Sequence, residues 1–315
     1  MSGTVVVTGA GGFIGRALVE RLRAAGRDVR PVVREDRGDV EGAVALGPLE
    51  GVPEEALARV LEGAAAVVHL AARAHRRDAG EAGADAAYRA ANVDATARLA
   101  RAAVAARVER FVLASSVKVN GEATRPGRPF RPGDPAAPGD AYGRSKRDAE
   151  AALAEACRGS ATAPIVLRLP LVIGPGARGN VERLVDAVAA GRTLPLGAID
   201  NRRSVLGLAN LCDAVVAALD APTPPAGVHF VADAVPVSTP GLVRAIAGAL
   251  GRPVPLAFVP VALLKLGARL VGKGAEIARL AGSLEVDASS FTAATGWRPA
   301  HALDGELARL ARMRE

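Results

Sequence analysis

Near its beginning the chain carries a run of β-branched residues, a glycine-rich turn and then an amphipathic segment. The sequence is VVVTGAGGFIG over residues 5–15, and ALVERL follows over 17–22. This pattern predicts a strand, a tight turn and a helix. Glycine reaches backbone angles closed to other residues, so the bare Gly9 and Gly12 allow a pyrophosphate to approach the main chain. Gly15 allows the helix to pack closely on the strand.

The position of the turn between a strand and a helix is stronger evidence for its role than its glycines alone. Their spacing is G-x-x-G-x-x-G, and a glycine triplet alone also occurs in ordinary turns. Here the triplet ends a strand and opens a helix, whose N-terminus offers free N–H donors and a partial positive charge. The sequence therefore predicts a dinucleotide-binding turn.

A second predicted strand, VRPVVR at 29–34, ends where a dinucleotide fold selects its cofactor. An acidic residue there binds the ribose hydroxyls of NAD, whereas an arginine accommodates the 2′-phosphate of NADP. The strand ends in Val33 and Arg34, with Asp36 just beyond. This favours NADP(H). In the alternative, Arg34 is a solvated charge, Asp36 contacts the ribose and the cofactor is NAD(H).

Two later strand patterns, AVVHLAA at 66–72 and RFVLASS at 110–116, end in small or hydroxyl residues. Small residues at the carboxyl end of a strand let a cofactor lie against the backbone. We expect His69 to be packed or hydrogen-bonded rather than catalytic. Asn92 lies inside a helical pattern over 88–106. Asparagine is unfavourable there, which indicates a buried hydrogen-bonding role.

Tyr142 and Lys146 are four residues apart in another helical pattern and therefore share a face. A nearby ammonium lowers the pKa of a phenol and can also hold ribose hydroxyls. The phenol can then exchange a proton with a substrate oxygen, to which Ser116 can hydrogen-bond. Such a pair alone is usually a surface pair, but with the glycine turn upstream we predict a catalytic Ser116, Tyr142 and Lys146.

Composition excludes several other classes of function. The 315 residues are 50% hydrophobic, which suits one large α/β domain with an appended lobe, or two domains. The net charge of +7 is spread along the chain and aromatic residues make up only 3%, which argues against nucleic-acid binding.

Cysteines and histidines predict neither disulfides nor a metal site. Cys157 and Cys212 are isolated in helical patterns, which indicates free thiols in a reducing compartment. The first strand begins almost at Met1, and no apolar run is long enough to span a bilayer. We expect a cytoplasmic protein without a membrane span. Metal-ligand spacing is absent among the four histidines, His69, His75, His229 and His301.

Taken in order, these motifs resemble the extended short-chain dehydrogenase/reductase family. The matching segments are TGAGGFIG at 8–15, HLAA at 69–72, NVDAT at 92–96, Ser115-Ser116, and Tyr142 with Lys146. LRLPLVIGPG at 167–176 resembles the family's segment near the nicotinamide, and TGWRP at 295–299 its C-terminal tag. The resemblance covers essentially the whole chain.

The resemblance implies an α/β fold, a Rossmann doubly wound parallel sheet with helices on both faces and a smaller, mostly C-terminal substrate lobe. Residues 1–172 would bind NAD(P), with 204–232 returning to that domain. Residues 173–203 and 233–315 would form the substrate lobe. A homodimer is expected by analogy with the family. The implied cofactor contacts are Gly9, Gly12, Phe13, Ile14, Gly15, Arg34, Leu70, Ala71, Ala72, Asn92, Ser115, Tyr142, Lys146, Pro170 and Val172.

Within the family the chain looks most like the nucleotide-sugar branch, the UDP-glucose 4-epimerases and their relatives. SSVKVNGE at 115–122 and NRRS at 201–204 are similar to a subgroup that includes reductases of UDP-4-keto-6-deoxy-N-acetylhexosamines. By this analogy Arg203 contacts the UDP diphosphate, Asn180 the diphosphate or sugar, and Lys118 the substrate. A guanidinium suits phosphate because its forked donors match the oxygens. The alternative for Arg203 is an exposed pair with its neighbouring arginine.

One departure from the family argues against a dehydratase. Sugar-nucleotide 4,6-dehydratases carry an Asp-Glu pair directly after the catalytic hydroxyl, for elimination of water. Those positions hold Val117 and Lys118 here. The acid and base that elimination needs are therefore missing.

The favoured function is reduction of a 4-keto UDP-hexose by NADPH, in nucleotide-sugar metabolism and polysaccharide biosynthesis. The alternative is a UDP-hexose 4-epimerase, acting on UDP-glucose or UDP-N-acetylglucosamine with bound NAD. Both use the same catalytic residues, and Arg34 favours the reductase. A reductase of a non-nucleotide ketone is a more distant alternative. A non-catalytic, cofactor-sensing protein is disfavoured because Tyr142 and Lys146 are both present.

Overall fold

A computed structural model describes residues 3–74, 83–125, 127–177, 179–254, 256–270, 272 and 274–313. His75, one of the four histidines that lack metal-ligand spacing, lies outside the described residues. No helix within the described ranges is long and apolar enough to cross a membrane.

Seven parallel strands form the main sheet, in the order β3-β2-β1-β4-β5-β6-β9. The order reverses direction between β1 and β4, which is the switch point of a doubly wound sheet. The predicted Rossmann α/β fold is confirmed. The seven strands are β1 Thr4–Thr8, β2 Val29–Val33, β3 Val44–Ala45, β4 Ala64–His69, β5 Arg110–Ser116, β6 Ala163–Leu169 and β9 Gly227–Phe230. A separate parallel pair joins β7 Leu171–Ile173 to β8 Val205–Gly207.

Helices cover both faces of the main sheet. The α-helices before β6 are α1 Phe13–Ala24, α2 Glu54–Leu61, α3 Ala84–Tyr88, α4 Ala95–Ala105 and α5 Ala141–Cys157. Those after it are α6 Asn180–Ala189, α7 Leu208–Asp220, α8 Thr239–Ala249, α9 Val261–Leu270, α10 Gly274–Ala281, α11 Ser289–Thr295 and α12 Leu303–Arg312.

Alternate side chains of β1 enter the two cores. Val5 and Val7 lie in one buried cluster with side chains of α1 and α7, and Val6 lies in the other with side chains of α2, α4 and α5. Burial on both faces explains why β1 is continuously apolar. Where α1 meets α7, Arg21 Nε donates to Asp213 Oδ1 at 2.7 Å.

A third apolar cluster lies away from the main sheet, among β7, β8, α6, α8 and α12. Its members include Ile173, Val181, Val185, Val205, Leu242, Val243 and Leu307. Helix α7 and strand β9, by contrast, join the main sheet and its cores. The predicted boundary of the substrate lobe stays a prediction.

The single helix predicted over 88–106 is interrupted. Between α3 and α4, Arg89–Asp94 form a wider π-helical turn that contains the buried Asn92. Such turns insert an extra residue into a helix and occur frequently at functional sites. Helical periodicity alone could not reveal this interruption.

The glycine turn brings three stretches of backbone together. A Cβ on Gly15 would lie 2.2 Å from the carbonyl oxygen of Gly9 and 2.7 Å from the Cα of Ala10. Gly9 itself has a φ of +72°, and a Cβ there would lie 2.7 Å from the backbone nitrogen of Ala71. No side chain fits at either position without movement of the main chain.

Replacing Gly15 by Ala should therefore destabilise the protein. We expect the free energy of unfolding to fall by about 1–3 kcal/mol, the usual effect of overpacking. Gly248→Ala in α8 is the matched control, since a Cβ there meets nothing within 4 Å. It should stabilise by about 0.5–1 kcal/mol, because alanine is the better helix former. Urea denaturation measures both, and equal effects would contradict the steric argument.

Candidate active site

The carboxyl ends of three adjacent strands define the site. Thr8 at the end of β1 is in register with His69 of β4, and His69 with Leu113 of β5. Beyond these positions β1 runs into the glycine turn and β5 into Ser115 and Ser116. The predicted cofactor and catalytic segments therefore meet at the switch point, where ligands of such sheets bind.

The glycine turn presents the N-terminus of α1 to this edge. Gly12 N donates to Gly9 O at 2.9 Å, and Gly12 is the residue that precedes the helix. Gly12 has no side chain with which to cap the first turn of α1. Phe13 and Ile14 open the helix and are half-buried. On the facing segments Leu70, Ala71 and Val172 are half-buried, Ala72 is exposed and Pro170 is buried.

A cavity of about 300 Å³ lies beyond β2 and β4. Arg34 is exposed and lines it, whereas Asp36 Oδ1 accepts a hydrogen bond from the backbone nitrogen of Gly38 at 2.9 Å. Of the two residues considered for cofactor selection, the arginine thus lines the cavity and the carboxylate stabilises its own turn. The cavity is lined by Arg34, Pro48, Glu50, Ala72, Arg73, Ala74, Ala87, Ala90 and Ala91.

Asn92 connects the loop after β4 to α5. Its Oδ1 accepts from the backbone nitrogen of Arg73 at 2.7 Å, and its Nδ2 donates to Arg73 O at 3.1 Å and to Ser145 Oγ at 2.8 Å. The buried hydrogen-bonding role predicted for this asparagine is present. A direct contact with a cofactor stays a prediction.

Helix α5 carries two members of the predicted triad, and β5 carries the third. Asp140 caps this helix, with Oδ1 accepting from Gly143 N at 2.7 Å. The Tyr142 side chain is hydrogen-bonded to Ser116 at the end of β5. Lys146 Nζ donates to the carbonyl of Ala114 at 2.7 Å. The structure therefore brings Ser116, Tyr142 and Lys146 to one place.

Burial determines the protonation of the two titratable triad members. It raises the pKa of Tyr142 to about 12, an effect that the negative charge of Asp140 reinforces and the hydrogen bond from Ser116 opposes. It also lowers the pKa of Lys146 to about 8. The expected net lowering of the phenol pKa is not found in this structure, because loss of solvation raises that pKa. Near pH 7 Tyr142 is a neutral phenol, a proton donor.

His69 is a packed, hydrogen-bonded residue, as predicted. Its Nδ1 lies 2.6 Å from Thr8 Oγ1 and its Nε2 lies 3.1 Å from Thr96 Oγ1. Burial, with the positive charge of Lys146 adding to it, lowers the pKa of His69 to about 3. The imidazole is therefore neutral and links β1, β4 and α4.

Two of the three predicted substrate residues already have partners within the protein. Lys118 Nζ contacts Asp140 Oδ2, and lies 3.4 Å from Glu122 Oε1. Arg203 Nη1 donates to the carbonyls of Arg279 and Gly282, at 2.7 and 2.8 Å. Asn180 is exposed in the first turn of α6. Their contacts with substrate stay predictions.

Sequence reasoning missed a buried ion pair beside the triad. Glu150 of α5 and Arg168 of β6 bond to each other, and Ser115 Oγ, predicted to contact the cofactor, donates to Glu150. Two signals were present in the sequence. Glu150 continues the spacing of four from Tyr142 and Lys146, and Arg168 interrupts an apolar strand.

The described part of the chain offers no ready set of metal ligands. Among the residues that the structure describes, no three His, Cys, Asp or Glu side chains are grouped so that they could hold a metal ion. Cys157 and Cys212 are buried free thiols.

The doubly wound sheet, the glycine turn and the Ser-Tyr-Lys cluster define an enzyme of the extended short-chain dehydrogenase/reductase type. The model of the NAD dependent epimerase/dehydratase family matches residues 5–232. The chain belongs to this family.

Three relatives illustrate the range of the family. The chain is 37% identical over 306 residues to a UDP-glucose 4-epimerase from Vibrio cholerae, with 96% of this chain and 93% of the relative covered. It is 28% identical to a 2-alkyl-3-oxoalkanoate reductase from Stenotrophomonas maltophilia, with 79% and 76% covered. The solved structure of MoeE5 in complex with UDP-glucuronic acid and NAD is 27% identical, covers 99% of both chains and has a TM-score of 0.79.

The neutral His69 makes stability depend on pH. Its folded pKa lies below the ordinary value of 6.5, so its contribution is complete above pH 6.5 and is lost as the pH falls towards about 3. One such group gives a slope of up to about 1.4 kcal/mol per pH unit. We expect His69→Asn to make the loss of unfolding free energy between pH 6 and 4.5 shallower by up to that amount. Urea denaturation at several pH values measures both slopes, and equal slopes would contradict a buried neutral imidazole.

Proposed function

We propose that this enzyme is a UDP-hexose 4-epimerase that carries NAD, with Ser116, Tyr142 and Lys146 acting at C4 of the sugar. The observation that carries the proposal is the hydrogen bond between Tyr142 and Ser116, with Lys146 one helical turn further on. The similarity to the Vibrio cholerae 4-epimerase along nearly the whole chain supports the reaction. MoeE5, solved with UDP-glucuronic acid and with UDP-glucose, each time with NAD, supports the ligands.

The residues at the sheet edge fit a dinucleotide. Gly9 and Gly12 leave the main chain bare, and the first turn of α1 directs its N–H groups to the same place. Pyrophosphate would lie on this turn, and the nicotinamide end would lie towards Tyr142 and Lys146. NAD, when bound, supplies hydride exchange at C4 and a positive charge beside the phenol.

The triad's own chemistry is proton transfer to and from the C4 oxygen. The neutral phenol of Tyr142 donates its proton to that oxygen during reduction, and the phenolate takes it back during oxidation. Ser116, already bonded to Tyr142, can donate to the same oxygen and hold it in place. Lys146, charged below about pH 8, stabilises the phenolate and can hold ribose hydroxyls.

A second candidate is a 4-keto reductase that uses NADPH, and a specific observation favours it. Arg34 lines the cavity beyond β2 while the carboxylate of Asp36 is bonded to Gly38 N. A 2′-phosphate would meet a guanidinium there rather than a carboxylate. The triad serves this reaction equally well. A dehydratase is disfavoured, since Lys118 is paired with Asp140 and Glu122 and supplies no acid–base pair.

The second part of the proposal concerns where the substrate binds. We propose that residues 173–203 and 233–315 bind the UDP-sugar over the domain formed by 1–172 and 204–232, in a homodimer. The separate apolar cluster around β7, β8, α6, α8 and α12 supports this division. Arg203, held through one nitrogen by two carbonyls, would offer its other guanidinium donors to the diphosphate.

Replacing Tyr142 by Phe should remove the proton transfer. We expect the rate of UDP-glucose to UDP-galactose interconversion to fall by about 100-fold or more. Calorimetric binding of UDP should be unchanged, because the phenol acts on the sugar. Tyr88→Phe is the matched control, a neighbouring tyrosine whose ring centroid is 6.2 Å away, and should stay within a few-fold of the natural enzyme. An active Tyr142→Phe enzyme would contradict the triad.

The cofactor distinguishes the two candidates. For the epimerase we expect NAD to remain bound through purification, and Arg34→Ala to leave NAD affinity nearly unchanged. For the reductase we expect tight NADPH binding by calorimetry, about tenfold or more weaker in Arg34→Ala because a charged hydrogen bond is lost. Arg37→Ala, another exposed arginine of the same segment, is the control. Turnover of UDP-4-keto sugars with NADPH, without UDP-galactose formation, would replace the first proposal by the second.

A further inference from the structure

A buried ion pair lies outside the proposed triad, between α5 and β6. Arg168 Nη2 lies 2.6 Å from Glu150 Oε2, and Arg168 Nε lies 3.0 Å from Glu150 Oε1. Each side chain is only 8% exposed. The two-point geometry fixes the orientation of both groups.

The same pair holds the end of β5 and the loop beyond it. Ser115 Oγ donates to Glu150 Oε1, and Arg168 Nη1 donates to Asn120 Oδ1 at 2.8 Å. Asn120 Nδ2 in turn donates to the carbonyl of Asp134 at 3.3 Å. Ser115 precedes the predicted catalytic Ser116, so the carboxylate links β5 to α5 where the triad forms.

Stability alone is a poor explanation for such a pair. Removing two charges from water carries a desolvation penalty that often exceeds their attraction, and apolar residues of similar volume commonly serve as well or better. The position of Glu150 offers a different explanation. It lies four residues after Lys146, on the same helix face, and its negative charge acts on the Lys146 ammonium.

We propose that Glu150 is a positioning residue for the reaction. Its carboxylate, oriented by Arg168, fixes Ser115 against α5 and supplies the negative charge that faces the ammonium of Lys146. The inference rests on the proposed function in assigning Lys146 a catalytic role. The electrostatic effect of Glu150 on Lys146 is a property of the protein alone, so it can be measured without substrate or cofactor.

The surroundings of Lys146 give the sign of the effect. Among the residues that the structure describes, the titratable and charged groups around it are His69 on β4, Tyr142 and Glu150 on α5, and Arg168 on β6 behind Glu150. His69, whose pKa is lowered, and Tyr142, whose pKa is raised, are both neutral near pH 7. Burial lowers the pKa of Lys146 to about 8, and Glu150 opposes that decrease. Loss of the carboxylate should therefore lower the pKa of Lys146 further.

The composition makes a direct measurement practical. The chain has only four lysines, Lys118, Lys146, Lys265 and Lys273. Labelling lysine with ¹³C at Cε and titrating the cofactor-stripped protein by NMR follows each ammonium separately. Lys146→Arg identifies the signal by removing it.

Glu150→Gln should shift the Lys146 titration down by at least about one pH unit. Glu155→Gln is the matched control on the same helix, because Glu155 is exposed and pairs with Arg158 at the surface. It should leave the Lys146 titration unchanged. In the active enzyme, Glu150→Gln should move the alkaline limb of the kcat profile to lower pH while KM stays constant. Glu150→Asp keeps the carboxylate and should return the alkaline limb most of the way to its natural position.

An unchanged Lys146 titration in a folded Glu150→Gln protein would overturn the proposal and leave the pair a structural link only. Should that variant fail to fold with Arg168 unpaired, the double variant Glu150→Leu with Arg168→Leu replaces it. A smaller downward shift is expected there, because the more distant positive charge of Arg168 is removed as well, and its absence would equally overturn the proposal. Absence of epimerase and reductase activity in the natural protein would defeat the proposed function, yet leave this titration result standing.

Discussion

The close contact of three backbone segments at the glycine turn is the constraint on which the site depends. Gly15 brings the first turn of α1 against the carbonyl of Gly9, and Gly9 lies against the backbone at Ala71. These contacts bring the ends of β1 and β4 together and aim the N-terminus of α1 at the edge between them. The next strand, β5, then delivers Ser116 to the same edge. The proposed phosphate site and the proposed proton-transfer site thus arise from one arrangement of main chain.

Loss of solvation is the second factor that determines the chemistry of the site, because it raises the pKa of the phenol and lowers the pKa of the imidazole and the ammonium. It keeps the phenol of Tyr142 protonated and weakens the proton affinity of both His69 and Lys146. Hydrogen bonds and charges then adjust the result at each position. Ser116 favours the phenolate, and Glu150 favours the ammonium. Burial thus shifts the pKa values of the site, and Ser116 and Glu150 oppose the shifts of Tyr142 and Lys146.

The sequence was most informative where function depends on short spacings. The glycine turn, the strand ending in Ser116 and the pair Tyr142 and Lys146 each lie within a few residues, so local patterns predicted them and the sheet behind them. The π-helical turn at Asn92 and the partners of Lys118 depend on segments far apart in the chain. Glu150 and Arg168 had local signals, but their meaning depends on β5, β6 and α5 being adjacent. The pKa of Tyr142 depends on burial, which cannot be read from the spacing of residues in the sequence.

The packing of α7 on α1 has a consequence for how the chain is made. Asp213, which pairs with Arg21 of α1, is synthesised 192 residues later. At translation rates of about 5–20 residues per second, that interval lasts on the order of 10–40 s. During this time α1 lacks the part of its native packing that α7 supplies. Contacts of such high sequence separation slow folding and lengthen the exposure of apolar surface on the nascent chain.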